Sequence, residues 1–135
     1  MKPRAILDTG PWVAVLAARD AYHPWAREAL GALPVPLLTC EAVVAETCYL
    51  LGSRRGLAME MLSDGLVQIA FRLEDHVKPV HALMAKYADV PISFADACLV
   101  RMAELGGGPV VTLDRDFLVY RAHRRRRIPL LSPPA

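Results

Sequence analysis

The sequence predicts an α/β fold in three layers, with a central, mainly parallel sheet of four to five strands between helices. Two observations carry this reading. Short apolar runs bounded by turn residues alternate with segments of helical spacing, the pattern of strands joined by helical crossovers. Several of those runs are apolar without interruption, which suits strands covered on both faces. At 135 residues the chain can bury one core of its own. Residues 1–131 are expected to form that single domain, and residues 132–135 a loose C-terminal tail.

The first run, Ala5-Ile6-Leu7, leads straight into Asp8, and Thr9-Gly10-Pro11 opens a helix, whose first turn tolerates proline. Residues 12–18 continue it, with Val13, Leu16 and Ala17 on one face. Pro24 starts a second short helix, ended by Gly31, Pro34 and Pro36. Leu37-Leu38-Thr39 reads as the second strand. Residues 41–51 form a strongly apolar helix that stops at Gly52. A helix over 57–66 and a strand over 67–71 follow, and helical spacing returns over 75–87. Residues 94–105 form a helix closed by Gly106-Gly107-Gly108. A fourth strand over 109–112, a short helix over 116–120 and a last strand over 128–131 complete the domain.

Hydrophobic residues make up 54% of the chain with glycine left out, against an ordinary share of about 45–50% with glycine included. The surplus predicts that another chain covers part of the surface. Arg19, Asp20, Arg54 and Arg55 interrupt the best candidates for a membrane span, and no signal sequence is apparent, so a cytoplasmic protein is expected. Cys40, Cys48 and Cys98 lie in apolar helical stretches without a C-x-x-C pair, which predicts reduced thiols. The net charge of +2 is uneven. Arg121, Arg124, Arg125, Arg126 and Arg127 are five of the 16 basic residues, and the remaining 11 face 14 acids. Such a local basic run suits phosphates, or it is a solvated loop.

Four acids are candidates for one site. Asp8 stands at the carboxyl end of a buried strand, where open α/β sheets place their ligands, though it could merely cap the next helix. Glu46 has Ala42, Val43, Tyr49 and Leu50 three and four residues away, which puts it on an apolar face. Buried there unpaired it would be costly, so it is read as a cation ligand or as an edge residue paired with Arg54 or Arg55. Asp96 has the capping-box spacing from Ser93. Asp114 follows the fourth strand as Asp8 follows the first, Asp116 is placed to cap the short helix behind it, and Thr112 adds a hydroxyl. Gathered together, such carboxylates repel one another and raise each other's pKa. A hard divalent cation, Mg²⁺ or Mn²⁺, compensates an all-oxygen set. His23, His76, His81 and His123 are scattered and are expected at the surface or in packing.

Leu7-Asp8-Thr9-Gly10, Glu46 within Val44-Ala-Glu-Thr47, Phe94-Ala-Asp-Ala97 and Thr112-Leu-Asp-Arg-Asp-Phe117 resemble the motifs of the PIN-domain nucleases in kind, order and spacing. Size and element order look like the VapC toxins of toxin–antitoxin pairs. The resemblance implies a Mg²⁺- or Mn²⁺-dependent endoribonuclease with one or two ions, leaving 5′-phosphate and 3′-hydroxyl ends. Asp8, Glu46, Asp96 and Asp114 take the family's four acidic positions, with Asp116 as an auxiliary or alternative ligand. Thr9 and Thr112 orient the acids or hold a water. Many relatives carry Asn or Ser where Gly10 stands. The resemblance also implies a homodimer and a small VapB-like antitoxin whose helix lies in a groove near the site; Trp12, Val15, Leu16, Tyr49, Leu50 and Met61 are candidates for it, though each taken singly is more often plain core. Arg115, Arg121, Arg124, Arg125 and Arg126 are candidates for holding the RNA backbone. A PIN nuclease in RNA maturation without an antitoxin, and a catalytically silent binding module, stay open.

Overall fold

The computed structural model describes residues 3–134. Its centre is β1 (Ile6–Leu7), the middle strand of a five-stranded sheet in the order β3 (Val67–Ile69), β2 (Leu37–Thr39), β1, β4 (Val110–Val111), β7 (Leu130–Leu131). Every neighbouring pair in it is parallel, with Ile6 opposite both Leu38 and Val110. Ile6, Leu7, Val110 and Val111 are fully buried. Uninterrupted apolar strands thus occupy the doubly covered middle of the sheet, as their composition requires.

Among the described residues six α-helices join the strands: α1 (Thr9–Leu16), α2 (His23–Gly31), α3 (Glu41–Leu51), α4 (Gly56–Ser63), α5 (Val77–Lys86) and α6 (Phe94–Glu104). From β1 to β2 to β3 the chain steps one way along the sheet, and from β3 to β4 it steps back past β1. Right-handed crossovers then put α1 to α4 and α5 to α6 on opposite faces. The packing follows that division for most pairs: α1 touches α2, α3 and α4, and α5 packs on α6, while α3 and α6, which carry Glu46 and Asp96, also meet. The result is a three-layer α/β/α domain. None of its helices is long and apolar enough to cross a membrane among the described residues. Cys40 and Cys98 are buried and Cys48 half-buried, all three as free thiols.

The extent of several elements differs from the sequence reading, for local reasons. The third strand stops at Ile69; Ala70 still donates its N–H to Thr39 O at 3.0 Å, and Phe71 turns into the core to stack on His76. α4 ends three residues early because the chain turns through Gly65 at φ 78°. The last strand is only Leu130–Leu131, with Ile128 buried ahead of it. The arginine run is no loop: β5 (Arg121–Ala122) and β6 (Arg126–Arg127) pair antiparallel. His123 and Arg124 make the turn at φ 48° and 73°. Glu104 Oε2 accepts from His123 N at 2.8 Å, and Lys86 Nζ donates to Arg124 O at 3.0 Å. Those two bonds hold the hairpin against the carboxyl ends of α5 and α6.

For Trp12 the structure chooses between the two readings. The side chain is fully buried, with Nε1 donating to Met61 Sδ at 3.3 Å, so it belongs to the core and not to a docking groove. Glu46 is a further correction. The buried face of α3 is Val43, Thr47 and Leu51, and Glu46 lies on the exposed side with Tyr49 and Leu50, which are 81% and 63% exposed. Its carboxylate is therefore not stranded in a core.

Candidate active site

β1 and β4 lie side by side, yet the chain leaves them toward opposite edges of the sheet. That reversal opens a crevice beyond their carboxyl ends, the place where doubly wound sheets bind ligands. Asp8 follows β1 and Asp114 follows β4 there. The amino end of α6 brings Asp96 to the same place, and α3 brings Glu46. All four line one open cavity of about 440 Å³ together with Asp116, Thr9 and Ser93.

Two threonines arrange the acids. Asp8 Oδ2 accepts from Thr112 Oγ1 at 2.7 Å, and Thr112 Oγ1 in turn accepts from Asp114 N at 2.9 Å. Asp8 Oδ1 accepts from Thr9 N at 2.7 Å, while Thr9 Oγ1 donates to Glu46 Oε2 at 3.0 Å. One hydrogen-bonded line thus runs from the end of β4 through Asp8 to α3.

Asp96 sits one turn into α6. Ser93 Oγ caps that helix by accepting from Asp96 N at 3.0 Å. The reciprocal half of a capping box is not made among the described residues. Instead the Asp96 carboxylate faces the cavity and accepts from Tyr120 Oη at 3.3 Å. Tyr120 is fully buried, edge-on to both Phe117 and Tyr87. It is the positioning residue that sequence reasoning missed; an aromatic between the late acids and the arginine run was its only local trace. The short 3-10 turn Arg115–Leu118 is capped by Asp114, whose Oδ1 accepts from Asp116 N at 2.8 Å, and not by Asp116.

The electrostatics are one-sided. Burial, opposed by the bonds from Thr112 and Thr9 and aided by the charges of Asp114 and Glu46, pushes the Asp8 carboxyl up to about 6. Burial, then the charges of Asp8 and Asp114, pushes Asp96 up to about 7, against the bond from Tyr120. Burial beside these acids also raises the Tyr120 hydroxyl. Among the described residues no basic side chain lines the cavity and none of its acids takes part in an ion pair.

This donor set fits a hard divalent cation, since every group offered is oxygen and the surplus charge is negative. Among the described residues no three His, Cys, Asp or Glu side chains stand close enough together to hold a metal ion between them. Mg²⁺ keeps several waters and needs only one or two direct carboxylates, so this wider spacing suits it. Gly10 also lines the cavity, and a side-chain carbon there would come within 3.1 Å of Leu113. Leu113 thus fills the space beside Gly10.

The arginines divide. Arg115 borders a neighbouring cavity that shares Leu113 and Asp114 with the acidic one. Arg121 spends Nη1 on the carbonyls of Leu118, Val119 and Tyr120. Arg124 and Arg125 line a separate groove with Lys86 and Arg101, at the far end of α6 from Asp96. Arg126 is exposed on β6. None of the four histidines lines the acidic cavity: His23 Nδ1 bonds Ala14 O at 2.8 Å, His76 packs on Phe71, and His81 and His123 are exposed.

Fold and cavity together define an open parallel α/β domain with carboxylates converging at its switch point. The family model described as PIN domain matches residues 5–122, and the chain belongs to that family. Among solved structures it is similar to the Mycobacterium tuberculosis toxin VapC20, described as a sarcin–ricin loop cleaving toxin. The match has a TM-score of 0.75 at 23% sequence identity, over 90% of this chain and 98% of that one. No curated protein sequence matches it significantly.

Proposed function

We propose that the protein is a divalent-metal-dependent endoribonuclease and the toxin of a VapBC-type pair. One observation carries the nuclease reading: five acids from four separated segments line a single cavity that holds no cationic side chain among the described residues. Asp8 and Asp96, with Glu46, Asp114 and Asp116 around them, would hold Mg²⁺ or Mn²⁺, which supplies charge to polarise the scissile phosphate and acidify a water. The chain's own residues set the geometry. Thr112 and Thr9 fix both oxygens of Asp8, Thr9 ties Glu46 to the same line, and Tyr120 holds Asp96. Arg115 lies beside the acids, placed for a flanking phosphate, and Lys86, Arg124 and Arg125 offer a second contact for the RNA backbone.

The toxin reading rests on the fold shared with VapC20 and on the outer face of α3. Tyr49 and Leu50 lie on the same exposed side as Glu46, so an antitoxin segment laid on that apolar stripe would also cover the acidic cavity. Leu57 and Met59 are further exposed apolar groups on α4, available to a second copy of the chain in the expected homodimer. A cytoplasmic location belongs to the same proposal.

The test is cleavage of a structured RNA with Mn²⁺ and with EDTA. A sarcin–ricin loop RNA is the first substrate to try, because VapC20 is described as cleaving it. The expected result is Mn²⁺-dependent cutting that Asp8→Asn and Asp96→Asn each abolish. Equal cutting by the parent and both variants would remove the assignment. Growth arrest on expression of the chain alone, relieved by a small protein encoded beside it, tests the toxin role separately.

A further inference from the structure

A second cavity, of about 280 Å³, opens directly beside the acidic one, and Leu113 and Asp114 belong to the walls of both. Tyr22, Leu113, Leu118, Leu130, Pro133 and Pro134 line it with apolar surface, and Asp114, Arg115 and Ser132 add polar groups in about equal measure. Its walls come from three distant parts of the chain: the turn before α2, the segment after β4, and β7 with the residues that follow it. Asp20 Oδ1 accepts from Tyr22 N at 2.8 Å, which fixes the turn that presents the tyrosine. Tyr22 is nevertheless 47% exposed, an aromatic side chain on a fixed turn but only half covered. Arg115 takes part in no ion pair among the described residues.

We infer that this cavity is a base subsite, receiving the unpaired nucleobase next to the cut bond and stacking it on Tyr22. The inference rests on the nuclease reading above. Four features favour a base. The cavity adjoins the acids through shared residues, so a base in it is connected by one sugar to a phosphate among them. Its size is at the low end for small-ligand sites, about 300 Å³ and up, enough for one planar ring system. A helix about 10 Å across does not fit it. Its chemistry is that of single-strand recognition: an aromatic face and apolar rims for the base, with Arg115 beside them for the phosphate that flanks it. Binding a neutral base also brings no additional negative charge toward Asp114.

The test pairs a change in the protein with a change in the RNA. A cleavable RNA is prepared intact and with a single abasic nucleotide at each of the two positions on either side of the cut. kcat/KM is measured with Mn²⁺ for the parent, Tyr22→Ala and Tyr22→Phe, with thermal unfolding of each as a check on folding. Base–aromatic stacking predicts that removing one base costs the parent about tenfold, at one position. Tyr22→Phe should keep that sensitivity. Tyr22→Ala should cut the intact RNA about tenfold more slowly and no longer distinguish it from the abasic one. If the parent cuts but no abasic position matters by more than twofold, the subsite is wrong and the nuclease reading stands. Loss by Tyr22→Ala that is equal on intact and abasic RNA also overturns it, pointing to a structural or protein-contact role. No Mn²⁺-dependent cutting by the parent overturns both readings.

Discussion

At its amino end, β1 is pressed against the loop that follows α6. Gly108 N donates to Arg4 O at 2.8 Å, and a side-chain carbon on Gly108 would lie 2.7 Å from that oxygen and 2.8 Å from Pro3 O. A few residues on, at its carboxyl end, the same strand meets carboxylates that repel one another around an open cavity. One end of the sheet is arranged for close contact, and the other keeps charge together at the expense of stability. Substitutions at the two ends should therefore have opposite consequences.

The largest expected effect is at the carboxyl end. Asp8→Asn and Asp96→Asn should each lower Mn²⁺-dependent cleavage by about a hundredfold or more, since metal electrostatics supply several kcal/mol to such reactions. Asp96→Asn should at the same time raise the melting temperature of the metal-free protein at pH 8, because it removes a buried, repelled charge. A lower melting temperature for Asp96→Asn in EDTA would contradict the repulsion described here. Gly108→Ala should do the reverse, costing about 1–3 kcal/mol by overpacking while activity per folded molecule is kept. Denaturant unfolding beside single-turnover cleavage separates the two.

The pH dependence follows from the same contrast. Asp8 and Asp96 titrate in the folded protein near 6 and 7, above their ordinary value of 3.8. Between roughly pH 4 and 7 the folded state therefore holds protons that the unfolded chain has lost. Metal-free stability should be highest on the acid side of that window and fall as pH rises through 6 and 7. Mn²⁺ should raise the melting temperature more at pH 8 than at pH 5; an equal increment at both would argue that the ion does not bind these acids.

Smaller effects are expected from groups that act through their neighbours. Tyr120→Phe removes the hydroxyl donated to Asp96 and should weaken Mn²⁺ binding by about tenfold, the lower range for outer-shell partners. Raised Mn²⁺ should restore most of its cleavage rate. Replacing Arg124 and Arg125 together by Gln should leave the rate at saturating RNA nearly unchanged. It should reduce the salt dependence of RNA binding by about one to two phosphate contacts.

Much of the sheet and of the acid set was legible because the signals were local. Residues 37–39 and 41–51 form the strand and helix their apolar runs and flanking breakers predicted. Asp8 and Asp114 were recognisable as acids just beyond strand ends. Glu46 was misplaced because α3 is apolar nearly all round, so its neighbours could not say which face turns inward. Its burial follows Val43, Thr47 and Leu51, a choice made by the elements packed on it. The hairpin after Tyr120 left no trace, because a run of arginines has no alternation and its supports, Lys86 and Glu104, lie far back in the chain. Tyr120 was hidden for the same reason, since its partner Asp96 is 24 residues away.

That inward choice by α3 has a practical consequence. Glu46 reaches Thr9 from the same side of the helix that presents Tyr49 and Leu50 to solvent. Surface engineering that replaces these two greasy groups with polar ones, the obvious way to improve handling, would alter the shelf on which that carboxylate stands. A better-behaved variant made in that manner should have its metal affinity measured before it replaces the parent in any assay.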